Sequence, residues 1–356
     1  MRVLVVSDAW RPQVNGVVRT LEEVAKAARQ LGSELVFLTP QQFRSMACPT
    51  YPEIRLAITT PGRIARQIEA VAPDHIHIAT EGPLGCLARH YCRRHGLLFT
   101  TSYHTKFPEY VRARAPIPLR LTYALMRWFH AGAAGTMVVT RSLARDLAAR
   151  GFGNLYPWSR GVDTDLFHPD YPPPLDLPRP VFINVGRVAV EKNLEAFLRL
   201  DLPGSKLVVG DGPALNQLKR RYPEVAFVGQ KAGAELAAHY AMADVFVFPS
   251  LTDTFGNVML EALACGVPVA AFPVTGPLDL IATTPAGVLH DDLAMACHGA
   301  LKIARGQCRE IALRHSWQAC AAQFLHNIAA ARKGAGGEGL SIPAHVSAGF
   351  SEHRQA

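Results

Sequence analysis

Short apolar runs alternate with helical stripes along most of this chain. "RVLVVSD" (2–8) is β-branched and almost uninterrupted, the pattern of a buried parallel strand. Residues 17–31 put Val17, Leu21, Val24, Ala28 and Leu31 on one helical face, and Gly32 follows as a stop. "ELVFLTP" (34–40) is a second strand, so the first 40 residues predict a βαβ unit. Helices at 62–72 and 83–96 and strands at 75–80 and 97–105 continue the alternation. Such alternation predicts a doubly wound α/β domain with right-handed crossovers.

The order restarts after residue 165. A proline-rich connector, "YPPPLDLPRP" (171–180), leads into the strand "VFINVGR" and the helix "EKNLEAFLRL". "KLVVGDG", "VAFVGQ", "DVFVFPS" and "VPVAAFPV" are further short strands. We therefore expect two domains, residues 1–165 and 166–315, consistent with a 356-residue chain that exceeds one ordinary core. An amphipathic last helix (316–333) and a glycine-rich tail (334–356), expected to fray, complete the chain. Doubly wound sheets bind ligands beyond the carboxyl ends of their strands, so the site belongs between the domains. The loop after the first strand has a single glycine, Gly16, and no G-x-G-x-x-G; no G-x-x-x-x-G-K-[ST] occurs either. A hydride-transfer enzyme and a P-loop NTPase are thereby disfavoured.

Charge adds one asymmetry. Residues 1–165 hold 21 Lys/Arg against 12 Asp/Glu, whereas residues 166–356 hold 16 against 17. The basic excess suits an anionic partner such as lipid head groups or nucleic acid, or is merely solvated surface. No nucleic-acid reading motif accompanies it, so specific nucleic-acid binding is not expected. Seven cysteines without a C-x-x-C pair read as reduced, buried thiols, and no spacing argues for a metal site. No apolar run approaches the roughly 20 residues of a membrane span, and Asp8 falls too early for a secretory leader. A cytoplasmic protein is expected.

Candidate chemistry gathers at strand ends. Arg187 follows one strand, and Lys192 is placed at the opening of the next helix; a guanidinium fork and a point charge suit a diphosphate, although both also read as solvated loop cations. In "TDTFGNVMLEALACG" (252–266), Asp253 and Glu261 lie eight positions apart, with Phe255 and Gly256 between them. The turn at 254–256 would present backbone N–H groups at a helix start, where Gly256 admits an anion closely. Asp253 could then accept bonds from hydroxyls and Glu261 from a ribose diol. The plainer alternative makes Asp253 or Thr254 a helix cap and Glu261 a solvated helix residue.

"GRVAVEKN" followed by this acid–x7–acid element resembles the retaining nucleotide-sugar glycosyltransferases of family 4, of the GT-B fold. "SDAWRPQVNGVVRTL", "HIATEGPLG", "SYHT" and "WSRGVDTDLF" resemble the same family, so the likeness spans roughly residues 1–330. It is greatest to the branch of GDP-mannose-dependent mannosyltransferases and sulfoquinovosyl or glycosyl diacylglycerol synthases. The resemblance implies that Gly16 lies under the donor phosphates and that His104 contacts the transferred sugar. It gives Arg187 and Lys192 the leaving diphosphate, Asp253 the sugar hydroxyls, the Phe255–Gly256–Asn257 backbone a phosphate, and Glu261 the ribose. Without it, His104 reads as a hydrogen-bonded strand-end histidine. The family usually has glutamate where this chain has Asp253, a reach shorter by one methylene.

The reaction implied is transfer of a hexosyl group from a UDP- or GDP-sugar to a hydroxyl, with no metal or cofactor. Residues 110–132 interleave Arg112, Arg114, Arg120 and Arg127 with Ile117, Leu121, Leu125, Trp128 and Phe129. Such a segment can lie in an anionic membrane surface, or pack as a core helix with its arginines in water. A membrane-lipid acceptor such as diacylglycerol and peripheral contact with the inner membrane face are expected. In this fold the last helix crosses back onto the first domain, with Trp317 and Phe324 as its anchors. A soluble or polysaccharide acceptor, an epimerase of the same fold, and a non-catalytic nucleotide-sugar sensor are the alternatives.

Overall fold

The computed structural model describes residues 1–11, 16–48, 51–112 and 116–334. The tail beyond Gly334 and Arg114 of the basic segment lie outside these residues. The first half contains strands β1 (Arg2–Val6), β2 (Glu34–Leu38), β3 (Arg44–Cys48), β4 (Tyr51–Ile58), β5 (His75–Ile78), β6 (Phe99–Tyr103), β7 (Gly135–Val138) and β8 (Leu155–Pro157). Its helices are α1 (Gly16–Gln30), α2 (Pro61–Val71), α3 (Pro83–Arg94), α4 (Phe107–Arg112), α5 (Leu119–His130) and α6 (Arg141–Ala149). Apart from the antiparallel β3–β4 pair, these strands form one parallel sheet in the order β2-β1-β5-β6-β7-β8.

The second half repeats the architecture. Strands β9 (Val181–Val185), β10 (Ser205–Val209), β11 (Ala226–Phe227), β12 (Val245–Phe248), β13 (Val269–Ala271) and β14 (Gly287–Leu289) alternate with helices. These are α7 (Leu194–Leu198), α8 (Leu215–Arg221), α9 (Gly233–Ala241), α10 (Asn257–Ala264), α11 (Pro277–Leu280), α12 (Leu293–Ala300) and α13 (Arg305–Leu313); α14 (Trp317–Gly334) ends the described chain. The sheet is again all parallel, ordered β11-β10-β9-β12-β13-β14. Strands β5, β6, β9 and β12 are buried along their whole lengths; β9 and β12 are almost wholly apolar, whereas the buried His75, His77, Thr100 and Ser102 of β5 and β6 hydrogen-bond one another.

Both sheets reverse their strand order beside the first strand of the half, between β1 and β5 and between β9 and β12. A crevice opens at each reversal, beyond the carboxyl ends of the strands. Helix α14 packs on the first half. Trp317, Phe324 and Ile328 share a buried cluster with Val3, Leu21, Val24 and Trp158, and the Trp158 indole donates to the Cys320 carbonyl at 3.2 Å. Arg309 donates to the carbonyls of Phe167 at 3.0 Å and Ala264 at 2.6 Å, which ties the linker to the end of α10. Among the described residues no helix is long and apolar enough to cross a membrane.

Candidate active site

The carboxyl ends of the two sheets meet across the central cleft. On the first half's side, His104 follows β6 directly and Gly16 opens α1. On the other side, Arg187 follows β9, and Asp253 lies in the turn between β12 and α10. The Thr254 hydroxyl donates to the His104 carbonyl at 2.7 Å, and the Asn257 amide donates to the Thr20 hydroxyl at 3.2 Å. A Cβ on Gly16 would sit 3.7 Å from Asn257 Nδ2. Gly16, His104, Asn257 and the 252–257 turn are thus brought together, although they are up to 241 positions apart in sequence.

His104 is oriented by a residue whose role the sequence left unassigned. Arg160 Nη2 lies 3.2 Å from His104 Nδ1. A guanidinium only donates, so Nδ1 is the acceptor and the neutral ring carries its proton on Nε2. That Nε2 is buried without a hydrogen-bond partner. Burial, then the charge of Arg160, hold the imidazole well below the ordinary histidine range, so it is neutral at physiological pH. Arg160 is fixed in turn by donating to the Trp158 and Ser159 carbonyls at 2.9 and 3.0 Å. It belongs to "WSRGVD", quoted above as a motif, but nothing in that string points to a histidine 56 positions away.

Arg187 is placed by backbone contacts. Gly186 and Val188 donate to the carbonyls of Val209 and Asp211 at 3.0 and 2.9 Å. A Cβ on Gly210 would stand 1.8 Å from the Gly186 carbonyl oxygen, so this close approach of β10 to the Arg187 turn requires glycine. Lys192 does not open the helix as expected. It ends a 3-10 turn, Val190–Lys192, and Asn193 at φ +52° separates it from α7. Its Nζ meets Asp253 Oδ1 at 2.6 Å, with side chains 29% and 13% exposed. Burial opposes the ammonium charge, but Asp253, helped by Tyr110 and Glu191, outweighs it and holds the lysine above its ordinary range.

Gly256, at φ +84°, precedes α10, and neither Asp253 nor Thr254 caps that helix through its side chain. The first N–H groups of a helix have no acceptor within it and present a positive dipole end. Phe255 is buried beneath them. A Cβ on Gly256 would meet the Phe248 ring at 2.7 Å. Gly256→Ala is therefore expected to cost about 2 kcal/mol of stability from left-handed strain and overpacking together. An unchanged melting temperature would remove that argument.

Glu261 is not a solvated helix residue: it is 4% exposed. Its Oε1 accepts from Arg19 Nη1 at 2.5 Å, and its Oε2 accepts from the Tyr240 hydroxyl at 3.0 Å. Burial raises its carboxyl group above the usual range, while Arg19 and Tyr240 oppose that rise. Among the described residues no cluster of three or more metal-ligating side chains occurs.

Residues 14–166 match the model of "Glycosyltransferase Family 4", and residues 179–303 match that of "Glycosyl transferases group 1". A GDP-mannose-dependent alpha-mannosyltransferase of Mycobacterium tuberculosis is 30% identical over 81% of this chain and 83% of its own. The chain belongs to glycosyltransferase family 4. A second relative, the sulfoquinovosyl transferase SQD2 of Arabidopsis thaliana, is 30% identical over 75% of this chain and 58% of its own length. The alpha-monoglucosyldiacylglycerol synthase of Streptococcus pneumoniae is 26% identical over 76% of this chain and 71% of its own. Among solved structures, a sucrose-phosphate synthase from Thermosynechococcus elongatus superposes with a TM-score of 0.74 over 94% of this chain and 100% of that one, at 19% identity. Anabaena HepE in complex with UDP-glucose gives 0.69 over 93% and 100%, at 15% identity. This family-4 glycosyltransferase accordingly has the GT-B fold, two facing parallel-sheet α/β domains.

Proposed function

We propose that this glycosyltransferase moves a hexosyl group, with retention, from a UDP- or GDP-sugar to a hydroxyl of a membrane lipid such as diacylglycerol. Arg187, Lys192 and the start of α10 neutralise the departing diphosphate, so the reading requires no metal or cofactor. The His104 Nε2 proton, which has no protein acceptor, suits an oxygen of the transferred sugar. Asp253 holds sugar hydroxyls beside Lys192. The bond from the anomeric carbon to the diphosphate breaks as the acceptor oxygen bonds on the same face, and the leaving phosphate takes the acceptor's proton.

The observation that carries the lipid acceptor is the outer face of α5. Leu121, Leu125 and Trp128, at helical spacing, are 58%, 51% and 52% exposed, and Ile117 just before the helix is 41% exposed. Arg112, Arg120 and Arg127 are exposed around them, whereas Phe129 is buried on the inner face. Apolar groups rimmed by arginines fit an anionic bilayer surface, where each cation contributes about 1 kcal/mol. The names of the sulfoquinovosyl and glucosyldiacylglycerol relatives favour the same reading, and nothing favours the sensor alternative.

Radiolabelled UDP-glucose, UDP-glucuronate or GDP-mannose with diacylglycerol liposomes tests the proposal directly. Label from one donor is expected in the organic phase. Donor binding without such transfer would overturn the lipid acceptor and favour a soluble or polysaccharide one. In flotation, Leu125→Glu together with Trp128→Glu should abolish salt-sensitive binding to anionic liposomes while the melting temperature holds. Wild type that fails to float would remove the membrane contact.

A further inference from the structure

Glu261 already has both oxygens engaged, and one partner comes from the other half of the molecule. Arg19 lies on α1, 242 positions away in sequence, and reaches Oε1 at 2.5 Å. Its guanidinium also lies over the Phe167 ring of the linker, 5.2 Å from the centroid. The Glu261 side chain is 6% exposed and the Arg19 side chain 37%. One guanidinium nitrogen thus occupies Oε1 while Tyr240 takes Oε2, and much of the arginine stays in reach of water. We propose that Arg19 is a positioning residue that holds the place of the ribose diol: the nucleotide ribose displaces it from Glu261 on binding. The inference rests on the reading of the cleft as a nucleotide-sugar site.

The exchange follows from charge balance. A buried carboxylate left without a partner is strongly unfavourable, so Glu261 needs donors whether or not a nucleotide is present. Arg19 supplies them in the empty enzyme, and the two ribose hydroxyls supply them in the complex. A released Arg19 keeps the Phe167 ring and exposes its charge to water, so neither partner is stranded. Two consequences follow. Donor affinity is reduced by the fraction of molecules in which Arg19 holds Glu261. Ribose recognition also undoes the ion pair between α1 and α10, which links nucleotide binding to the relation of the two domains.

Calorimetry with UDP and GDP, and with their 2′,3′-dideoxy counterparts, separates this from a structural role. Arg19→Gln removes the charged competitor and is expected to tighten ribonucleotide binding about tenfold, roughly one charged hydrogen bond. Dideoxynucleotide binding should not change, and Arg19→Lys should restore most of the competition. Equal shifts for both sugars would place Arg19 on the phosphates or the fold and overturn the proposal. Unchanged or weaker ribonucleotide binding by Arg19→Gln would overturn it too. If wild type binds no nucleotide diphosphate, the nucleotide-sugar reading itself fails. Small-angle scattering of nucleotide-free protein then decides whether the Arg19–Glu261 pair holds the two domains together. A larger radius of gyration for Arg19→Gln supports it, and an unchanged one overturns it.

Discussion

Arg187→Ala is expected to lower kcat by about 100-fold or more, the loss seen when a donor to developing negative charge is removed. The argument starts from position. Arg187 stands directly beyond β9, the central strand at the reversal of strand order, where the sheet leaves a crevice. Backbone bonds from Gly186 and Val188 to the β10 turn set that position without using the arginine side chain. Melting temperatures taken alongside the rates tell a lost transition-state contact from a weakened fold. Arg187→Lys keeps a charge but loses the planar fork that matches two phosphate oxygens, so an intermediate rate is expected. On the proposed reading, which gives the ribose to Glu261, nucleoside binding should survive both changes. Steady-state rates with the donor that labels product decide the matter; an unaffected kcat for Arg187→Ala would sink the assignment.

What the sequence made legible was whatever has a local cause. Buried parallel strands are mostly apolar on both faces, so β1, β2, β9, β10 and β12 stand out as short runs, while β5 and β6 show instead as short stretches rich in β-branched or aromatic residues. The β3–β4 hairpin did not, because its polar, partly exposed residues carry no such run. Strands β7 and β8 were missed because β7 opens on Gly-Thr and β8 ends on a proline, so neither shows an apolar run. Lys192 was put in a helix because its neighbours favour one; Asn193 in the left-handed region breaks the chain there instead. The surroundings of Glu261 were half legible. "NVMLEALA" is apolar around most of its circumference, the mark of a helix buried on all sides, a signal that was there to be set against a solvated acid. Its partners Arg19 and Tyr240 have no local signature, since they meet it through folding alone. The same holds for Arg160 and His104. The motifs located the site, but only the fold revealed which side chains hold one another in place.

The second large effect is expected at the Lys192–Asp253 pair, where stability and catalysis can be told apart. Lys192→Met removes the cation that would face the leaving diphosphate and should lower kcat about 100-fold. It also strands Asp253, whose side chain is 13% exposed, beside an apolar group. Breaking a mostly buried pair in this way should cost roughly 3 kcal/mol, somewhat less than a fully enclosed one. Because Lys192 is held above the ordinary lysine range, the pair's contribution is complete at neutral pH. On the alkaline side it is lost as pH rises through the lysine's own titration, so rate profiles between pH 7 and 9 should show no inflection from it. Asp253→Asn added to Lys192→Met leaves no unpaired charge, so the double variant should recover most of the lost stability. It should not recover the rate, since the diphosphate still lacks its cation. Thermal melts and kcat measured on wild type, Lys192→Met and the double variant separate the two roles. A double variant that regained both would make Lys192 a support for Asp253 and nothing more, leaving the diphosphate to Arg187 and the start of α10.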